Sequence, residues 1–317
     1  MADLAEKKTD LLVVGGPTAS GKTSLAIRLA RELGGEILSA DSMQIYRELE
    51  IGTAKATPEE QQGIPHHMLN IRSPEESYSV AEYVDEAARV IREIRARGRV
   101  PILAGGTGLY ISSLLRGLRF EPQPDTSPIR ARLEREWEEG GSVLLYERLQ
   151  KLDPEAAEKI HPHNRVRVIR ALEVCEEGGS KAFSRQKAQA LPEERPYRAL
   201  LLCLNYQDRQ LLYRRIDLRV DKMMEQGLLN EAVQVYLHRH SWLTAAQAIG
   251  YKEFFGYFEG RQTLPECVEL LKQSSRRYAK RQLTWFRRMD GIRKRPSGWK
   301  PPTRRQGTRR QSWRGRF

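Results

Sequence analysis

A glycine-rich segment near the start of the chain carries the clearest chemical signal. It consists of Gly16, Pro17, Thr18, Ala19, Ser20, Gly21, Lys22 and Thr23, and it matches the pattern G-x-x-x-x-G-K-[ST] without a gap. The glycines allow a tight turn in which successive backbone N–H groups point into one concavity. In this pattern the ammonium of the lysine meets phosphate oxygens, and the hydroxyl of the threonine ligates Mg²⁺. The segment therefore predicts a phosphate-binding loop that works with a magnesium ion.

A carboxylate follows at the end of the next predicted strand, where Asp41 precedes Ser42. Ligands of open α/β sheets bind outside the carboxyl ends of the strands, so we expect Asp41 to overhang the phosphate loop. Two other roles remain open, because aspartates also form turns and cap helices, and because this carboxylate is also placed to ligate the metal. The strand from 100 to 104 ends in glycines and Thr107 rather than in an acid. A protein that hydrolyses a nucleotide is expected to carry an acid at that position. The missing acid therefore indicates that the bound diphosphate is a leaving group and not part of a nucleotide that is hydrolysed.

The segment from Arg276 to Arg288 predicts a helix that is apolar on one side and basic on the other. Ala279, Leu283 and Phe286 share a stripe at helical spacing. The opposite side carries Arg277, Lys280, Arg281 and Arg288. Basic helices are often only solvated faces, but arginines interleaved with aromatic residues also suit a phosphate backbone and unstacked bases. Both interpretations remain open, as they do for a shorter basic set at Arg165, Arg167 and Arg170.

Strands and helices alternate in the first part of the chain. Short apolar runs predict strands at 11–14, 36–40, 100–104 and 198–204, and apolar periodicity predicts helices at 22–33 and from a capping box at Ser79–Glu82 to about Gly98. The middle of the chain is predicted helical, with an N-cap at Ser127, a start at Asp153-Pro154 and a stop at Gly178-Gly179. Asp208 predicts the N-cap of a further helix.

These elements predict an α/β fold, in which a P-loop NTPase-like parallel sheet carries helices on both faces and a mainly helical insertion. We expect residues 1–119 to form the first part of the core and 120–195 the insertion. Residues 196–290 return to the core, and 291–317 form a basic, disordered tail. That tail holds ten Lys and Arg between 293 and 317 and no acid, so it supplies most of the net charge of +13. Its role stays open between solubility and contact with nucleic acid.

Composition limits the class of protein. With 39% apolar and 30% charged residues the chain is globular, and no apolar run reaches the roughly 20 residues of a membrane span. The charged first residues do not resemble a signal peptide. Three distant cysteines without C-x-x-C exclude a disulfide framework and a cysteine zinc site, which fits the cytoplasm. The six histidines lack metal-ligand spacing and are predicted in loops or at helix ends.

Several motifs, in order from about residue 9 to 290, jointly resemble the tRNA dimethylallyltransferases (tRNA isopentenyltransferases) of the bacterial type without a zinc finger. Besides the phosphate loop, they are Ser39-Ala40-Asp41-Ser42-Met43-Gln44-Ile45-Tyr46, Ile51-Gly52-Thr53-Ala54-Lys55, Gly105-Gly106-Thr107-Gly108-Leu109-Tyr110, His161-Pro162, Arg170-Ala171-Leu172-Glu173-Val174, Ala248-Ile249-Gly250-Tyr251-Lys252 and Lys280-Arg281-Gln282-Leu283-Thr284-Trp285-Phe286.

The resemblance implies a reaction and roles for individual residues. A dimethylallyl group passes from dimethylallyl diphosphate to the exocyclic amine of the adenine on the 3′ side of the anticodon, and the phosphate loop holds the leaving pyrophosphate rather than ATP. Asp41 is then the general base, Thr107 lies near the reacting centre, and Arg219 contributes to diphosphate binding. Mg²⁺ is the expected cofactor, and the chain is expected to act as a monomer away from membranes.

The resemblance also implies a set of tRNA contacts. These are Asp41, Ser42, Met43, Gln44, Arg165, Arg167, Gly250, Tyr251, Lys252, Arg277, Lys280, Arg281 and Arg287. Two other classes remain as alternatives to the prenyltransferase. A P-loop kinase of a small metabolite or nucleotide has the same loop but consumes ATP, and a non-catalytic RNA-binding module explains the basic helix but leaves the loop without a purpose.

Overall fold

The computed structural model describes residues 10–118, 120, 126–184 and 195–289. The chain divides into two compact units: the first comprises Met1–Leu115 and Pro196–Phe317, and the second comprises Arg116–Arg195. The predicted tail at 291–317 lies outside the described residues.

A parallel sheet forms the centre of the first unit. Its strands are β1 (Leu11–Gly15), β2 (Gly35–Ala40), β3 (His66–His67), β4 (Val100–Gly105) and β5 (Ala199–Cys203), in the order β3-β2-β4-β1-β5. Every pairing between neighbours is parallel, as the alternating sequence pattern predicts. The loop prediction for His66 and His67 was wrong, because both residues pair with Ile37 and Leu38 as a short edge strand.

Helices cover both faces of this sheet. They are α1 (Lys22–Leu33), the short α2 (Pro58–Gln61), α3 (Val80–Ala96) and α4 (Gly108–Arg116). Successive strand residues point to opposite faces, so Leu12 packs in one core with Ile27 of α1, whereas Leu11 packs in another with Ile91 of α3. The predicted capping box at the start of α3 is present, with the Ser79 side chain accepting from the Glu82 amide. The α/β prediction is therefore confirmed.

The described part of the second unit is mainly helical and includes α5 (Ser127–Leu152), α6 (Pro154–Lys159) and α7 (Arg165–Gly178). The N-cap of α5 is Thr126 rather than the predicted Ser127, which is already helical. Asp153 caps α6 by accepting from the Ala156 amide at 3.0 Å, as the Asp-Pro pair predicts. The helices enclose their own apolar core, centred on Leu145, Leu149 and Leu172.

The first unit resumes after β5 with helices only. These are α8 (Arg209–Glu225), α9 (Leu228–Leu237), α10 (Phe255–Phe258) and α11 (Leu264–Arg288), with short 3₁₀ turns at Ala245–Gln247 and Lys252–Phe254. Asp208 caps α8, as predicted. The predicted stripe of α11 is buried, and its Phe286 packs directly on the backbone of Gly15 in β1. Within the described ranges, no helix is long and apolar enough to cross a membrane.

Candidate active site

A cavity of about 450 Å³ lies at the carboxyl ends of β1, β2 and β4. Its lining comes from the phosphate loop after β1, the turn after β2, the middle of α8, the segment before the second 3₁₀ turn, and α11. Lys22, Thr23, Asp41, Arg219 and Arg281 all contribute to this lining. The residues that the sequence predicts for phosphate binding and for proton transfer therefore meet in one space.

The phosphate loop has the backbone that its glycines were expected to allow. Gly16 has φ of +146°, and a Cβ there would lie 2.8 Å from the carbonyl oxygen of Leu204. Gly21 adopts the left-handed region, with φ of 86°, and caps α1 without a side-chain hydrogen bond. The amides of the first helical turn therefore lack a side-chain cap beside the loop, an arrangement that favours an anion.

Lys22 and Arg219 place two cations against the same cavity. The ammonium of Lys22 donates to the Pro17 carbonyl at 2.8 Å. Burial and, to a smaller extent, the charge of Arg219 lower the pKa of Lys22 to about 8, and the charge of Asp41 opposes both effects. Burial likewise lowers the pKa of Arg219, against the charges of Asp41 and Glu60. Two desolvated cations this close together favour a ligand with more than one negative charge.

Asp41 forms a turn and faces the cavity at the same time. Its Oδ1 accepts the amide of Met43 at 2.9 Å, and no described residue donates to its Oδ2. The turn-forming role and a chemical role are therefore compatible, since each uses a different oxygen. Thr107 supports this turn from behind, because its Oγ1 accepts the Ser42 amide at 3.1 Å and its own amide donates to the Ala40 carbonyl at 3.0 Å.

Gln282 of α11 joins two loops of the site. Its Oε1 accepts the Thr18 amide of the phosphate loop at 2.8 Å, and its Nε2 donates to the Gly106 carbonyl, next to Thr107, at 3.0 Å. The side chain is buried, and a Cβ at position 106 would lie 2.1 Å from Nε2. Gln282 was not predicted as a site residue. The sequence did contain a signal for it, because a polar residue stands beside the apolar stripe of α11.

The residues predicted to contact tRNA occupy several different environments. Ser42, Met43, Gln44, Gly250 and Lys252 line the cavity. The amide of Gln44 is already used inside the protein, where it accepts from Ser39 Oγ at 3.0 Å and donates to the Thr53 carbonyl at 3.1 Å.

Tyr251 differs from its neighbours because its side chain is fully buried and its hydroxyl donates to Glu231 at 2.7 Å. Tyr251 therefore packs behind the cavity wall and does not itself line the cavity.

The basic side of α11 is exposed to solvent. Arg277, Lys280, Arg281 and Arg287 all lie on it, and Arg281 also reaches the cavity. In the second unit, Arg167 is exposed, and Arg165 forms an ion pair with Glu138 at 3.0 Å. These positions leave the predicted basic contacts accessible in each unit.

A second cavity, of about 1160 Å³, borders the phosphate loop and α1. Its lining includes the basic residues Arg28, Arg31, Arg215 and Lys222. It shares Lys22, Thr23 and Arg219 with the first cavity, whereas Asp41 and Gly250 line only the first. The phosphate-binding groups therefore border both cavities, and the carboxylate borders one.

Comparison with known proteins identifies the family. The sequence from 44 to 289 matches the family described as IPP transferase. The chain belongs to the IPP transferase family. Among curated relatives, the tRNA dimethylallyltransferase of Caldanaerobacter subterraneus subsp. tengcongensis is 45% identical over 89% of this chain and 90% of its own length. That of Bacillus anthracis is 50% identical over 89% of this chain and 88% of its own.

Solved structures of IPP transferase relatives share the fold. The tRNA isopentenylpyrophosphate transferase of Bacillus halodurans is 44% identical, with a TM-score of 0.64 over 89% of this chain and 88% of that one. A eukaryotic dimethylallyltransferase acting on tRNA is 32% identical, with a TM-score of 0.70 over 87% of this chain and 69% of that one. The resemblance inferred from the motifs is therefore confirmed.

Proposed function

We propose that the chain transfers a dimethylallyl group from dimethylallyl diphosphate to the exocyclic amine of the adenine 3′-adjacent to the anticodon in tRNA, with release of pyrophosphate. The observation that carries this proposal is the single cavity lined by Lys22, Arg219 and Asp41. It joins cations suited to a diphosphate with a carboxylate suited to an amine proton. The names of the relatives support a dimethylallyl group as the group transferred and tRNA as the acceptor.

The leaving group is stabilised by the phosphate loop in this mechanism. As the bond between C1 of the dimethylallyl group and the diphosphate oxygen breaks, its electron pair leaves with the pyrophosphate. Negative charge then develops beside Lys22 and Arg219, and preorganised cations and amides stabilise such charge most strongly in a dry site. Ser20 of the same loop carries a buried hydroxyl without a hydrogen-bond partner among the described residues, and it lines the second cavity rather than the first.

The acceptor amine is activated by Asp41. An adenine amine is a poor nucleophile because its lone pair is delocalised into the ring. As the nitrogen forms its bond to C1, one N–H proton passes to the carboxylate of Asp41, and the positive charge on nitrogen does not build up. The Oδ2 atom is the acceptor in this proposal, since Oδ1 already holds the Met43 amide. Thr107 acts by holding Ser42, and so keeps the turn in place.

Mg²⁺ would be bound in this site mainly by oxygens of the diphosphate and to a smaller extent by protein side chains. The described residues contain no cluster of three or more His, Cys, Asp or Glu side chains that would hold a metal alone. Thr23 and Asp41 nevertheless line the same cavity, and Mg²⁺ commonly takes one or two protein oxygens together with phosphates and water. The Thr23 hydroxyl would hold the ion, which would neutralise charge on the pyrophosphate.

The anticodon stem-loop of tRNA is the macromolecular substrate in this proposal. An adenine must leave its stack to enter a cavity, as in other enzymes that modify bases. The exposed basic residues Arg277, Lys280, Arg281 and Arg287 supply the charge that holds the backbone, as do Arg165 and Arg167. The monomeric state and the cytoplasmic location stay predictions.

The proposal is tested by supplying the protein with tRNA and either labelled dimethylallyl diphosphate or labelled ATP. We expect the dimethylallyl label in tRNA, on the adenine next to the anticodon, together with pyrophosphate. Stoichiometric ADP without transfer to tRNA would instead identify a kinase. Binding of tRNA without any turnover would identify an RNA-binding module.

A further inference from the structure

Glu231, on α9, gathers four hydrogen-bond donors around one carboxylate. Its Oε2 accepts the amides of Glu50 and Ile51, each at 2.9 Å. Its Oε1 accepts the Gly52 amide at 2.9 Å and the Tyr251 hydroxyl at 2.7 Å. Both oxygens are therefore fully used by the protein, and the side chain has no capacity left for a substrate.

The three amides belong to consecutive residues of one turn. Consecutive N–H groups that point at one anion require an acceptor from outside their own turn, and Glu231 supplies it. The turn also packs tightly, because a Cβ at Gly52 would lie 2.6 Å from the Tyr251 ring. Carboxylate and ring together therefore fix the backbone at Gly52.

This turn forms part of the wall of the first cavity. Gly52 and Thr53 line that cavity, as does Gly250 next to Tyr251, whereas Glu50 and Ile51 at the start of the turn line the second cavity. A Cβ at Gly250 would lie 3.5 Å from the Cα of Gly52, so the two glycines are in close contact. Since Asp41 also lines only the first cavity, this wall belongs to the part of the site where the acceptor amine meets the carboxylate.

The turn is also joined to the Asp41 turn. The Thr53 carbonyl accepts a hydrogen bond from Gln44 Nε2 at 3.1 Å. Gln44 lies three residues after Asp41, in the segment that the Asp41–Met43 hydrogen bond begins. A displacement of the Gly52 turn would therefore reach Asp41 through one side chain.

We propose that Glu231 is a positioning residue for the acceptor side of the reaction. It fixes the cavity wall formed by Gly52 and Gly250, and through Gln44 it also fixes the turn at Asp41. Together these segments form the part of the cavity that binds the adenine base. This inference rests on the proposed function. Among the described residues, neither Lys22 nor Arg219 is a hydrogen-bond partner of Glu231, so we expect donor binding to be independent of it.

Glu231→Gln tests the role at constant size. One carboxylate oxygen becomes an NH₂ group, which faces N–H and O–H donors and cannot accept from them. Because donors of the turn lose their acceptor and the wall that they fix is released, we expect kcat/KM for an anticodon stem-loop RNA to fall about tenfold to hundredfold. The Kd for dimethylallyl diphosphate should stay within about twofold, since the groups that bind the diphosphate are unchanged. Gln234→Ala is the matched control: its exposed side chain lies on the same helix as Glu231 and lines neither cavity, so its effect should stay within about threefold.

Two outcomes would overturn the proposal. One is a Glu231→Gln enzyme with wild-type kcat/KM for the RNA. The other is a variant that only melts earlier and keeps its turnover per folded molecule, which would make Glu231 merely structural.

Amide hydrogen exchange tests whether Glu231 fixes the turn at 50–52, and this measurement does not depend on catalytic turnover. Faster exchange of the amides at 50–52 in Glu231→Gln supports the proposal, and unchanged exchange contradicts it. If the wild-type chain transfers no dimethylallyl group, the proposed function fails on its own, and the exchange arm still decides whether Glu231 holds the wall.

Discussion

Gln282 accepts the backbone amide of Thr18 at 2.8 Å, so the helix with the exposed basic side is bonded directly to the phosphate loop. The same side chain donates to Gly106 at 3.0 Å, next to the residue that holds the Asp41 turn. One buried amide group therefore fixes the loop for the leaving group relative to the turn for the incoming amine.

Gln282→Glu should separate these two contacts. The carboxylate still accepts from Thr18, but it repels the Gly106 carbonyl, so the Thr107 loop should shift. We expect kcat to fall about tenfold or more, because a buried carbonyl loses its donor and faces a charge. Single-turnover rates and the Kd for pyrophosphate measure this, with the exposed Thr284→Val as the matched control on the same helix. A wild-type kcat in Gln282→Glu would show that the link to Gly106 is dispensable.

Donor binding should depend on pH through Lys22. Its pKa is lowered to about 8 in the free protein, mainly by burial, so the cationic form that binds a diphosphate disappears above that pH. Affinity for pyrophosphate, measured by calorimetry, should therefore weaken as the pH rises through about 8. Lys22→Arg should move this break to higher pH, because a guanidinium keeps its charge. An unchanged break in Lys22→Arg would assign it to another group.

The same shift affects stability with a definite sign. The pKa of Lys22 lies below its unfolded value of 10.5, so the unfolded chain binds more protons between about pH 8 and 10.5. The contribution of Lys22 to the free energy of unfolding should rise with pH across that window. Lys22→Met removes the buried charge and should raise the melting temperature at pH 7, by an amount that shrinks towards pH 10.5. An identical difference in melting temperature at both pH values would contradict this.

Asp41→Asn should slow chemistry without disturbing the fold. Asparagine keeps Oδ1 for the Met43 amide but cannot take a proton from the adenine amine, so kcat should fall by about 10²–10⁴. Melting temperature and the Kd values for tRNA and dimethylallyl diphosphate should change little. A Mg²⁺ series separates the metal-ligand role, because that role predicts weaker diphosphate binding and recovery at high Mg²⁺. A kcat within threefold of wild type would exclude the general base.

The exposed side of α11 should act through charge. Arg277→Ala or Lys280→Ala should raise KM for tRNA and flatten the slope of log K against log salt by about 0.7–0.9 for each phosphate that the variant no longer neutralises. Arg276 is the matched control, because its guanidinium pairs with Asp217 at 2.6 Å and Glu269 at 2.7 Å. Arg276→Ala should lower the melting temperature and keep the salt slope. Equal salt slopes in wild type and Arg277→Ala would mean that this face is only solvated.

Sequence patterns within one short segment predicted those parts of the site that are formed by a single loop, helix or strand. The phosphate loop and α1 follow from glycines, a lysine and helical periodicity within one short segment, and α1 begins and ends where it was predicted. The edge strand at His66 was missed because a strand of two residues has no periodicity to detect. The N-cap of α5 was displaced by one residue because Thr126 and Ser127 are both good capping residues.

The hydrogen bonds that join the loops and helices of the site could not be predicted from such local patterns. Gln282 lies 264 residues from Thr18, and Glu231 lies 181 residues from Glu50. No pattern of spacing within a helix or a strand relates residues so far apart, because only the folded sheet brings their elements together. The motifs therefore predict which residues line the cavity, whereas the groups that position those residues emerged only with the fold.

The two cavities meet at Lys22, Thr23 and Arg219, which has a consequence for inhibitor chemistry. A bisubstrate compound with a diphosphate-like centre could place one arm in each cavity while its anionic middle binds the shared cations. Joining the arms turns the second binding event into an intramolecular one, and affinity rises without any new interaction. The arm in the first cavity would meet Asp41, so a flat heteroaromatic amine at that end would resemble the acceptor, and an uncharged aliphatic end would not.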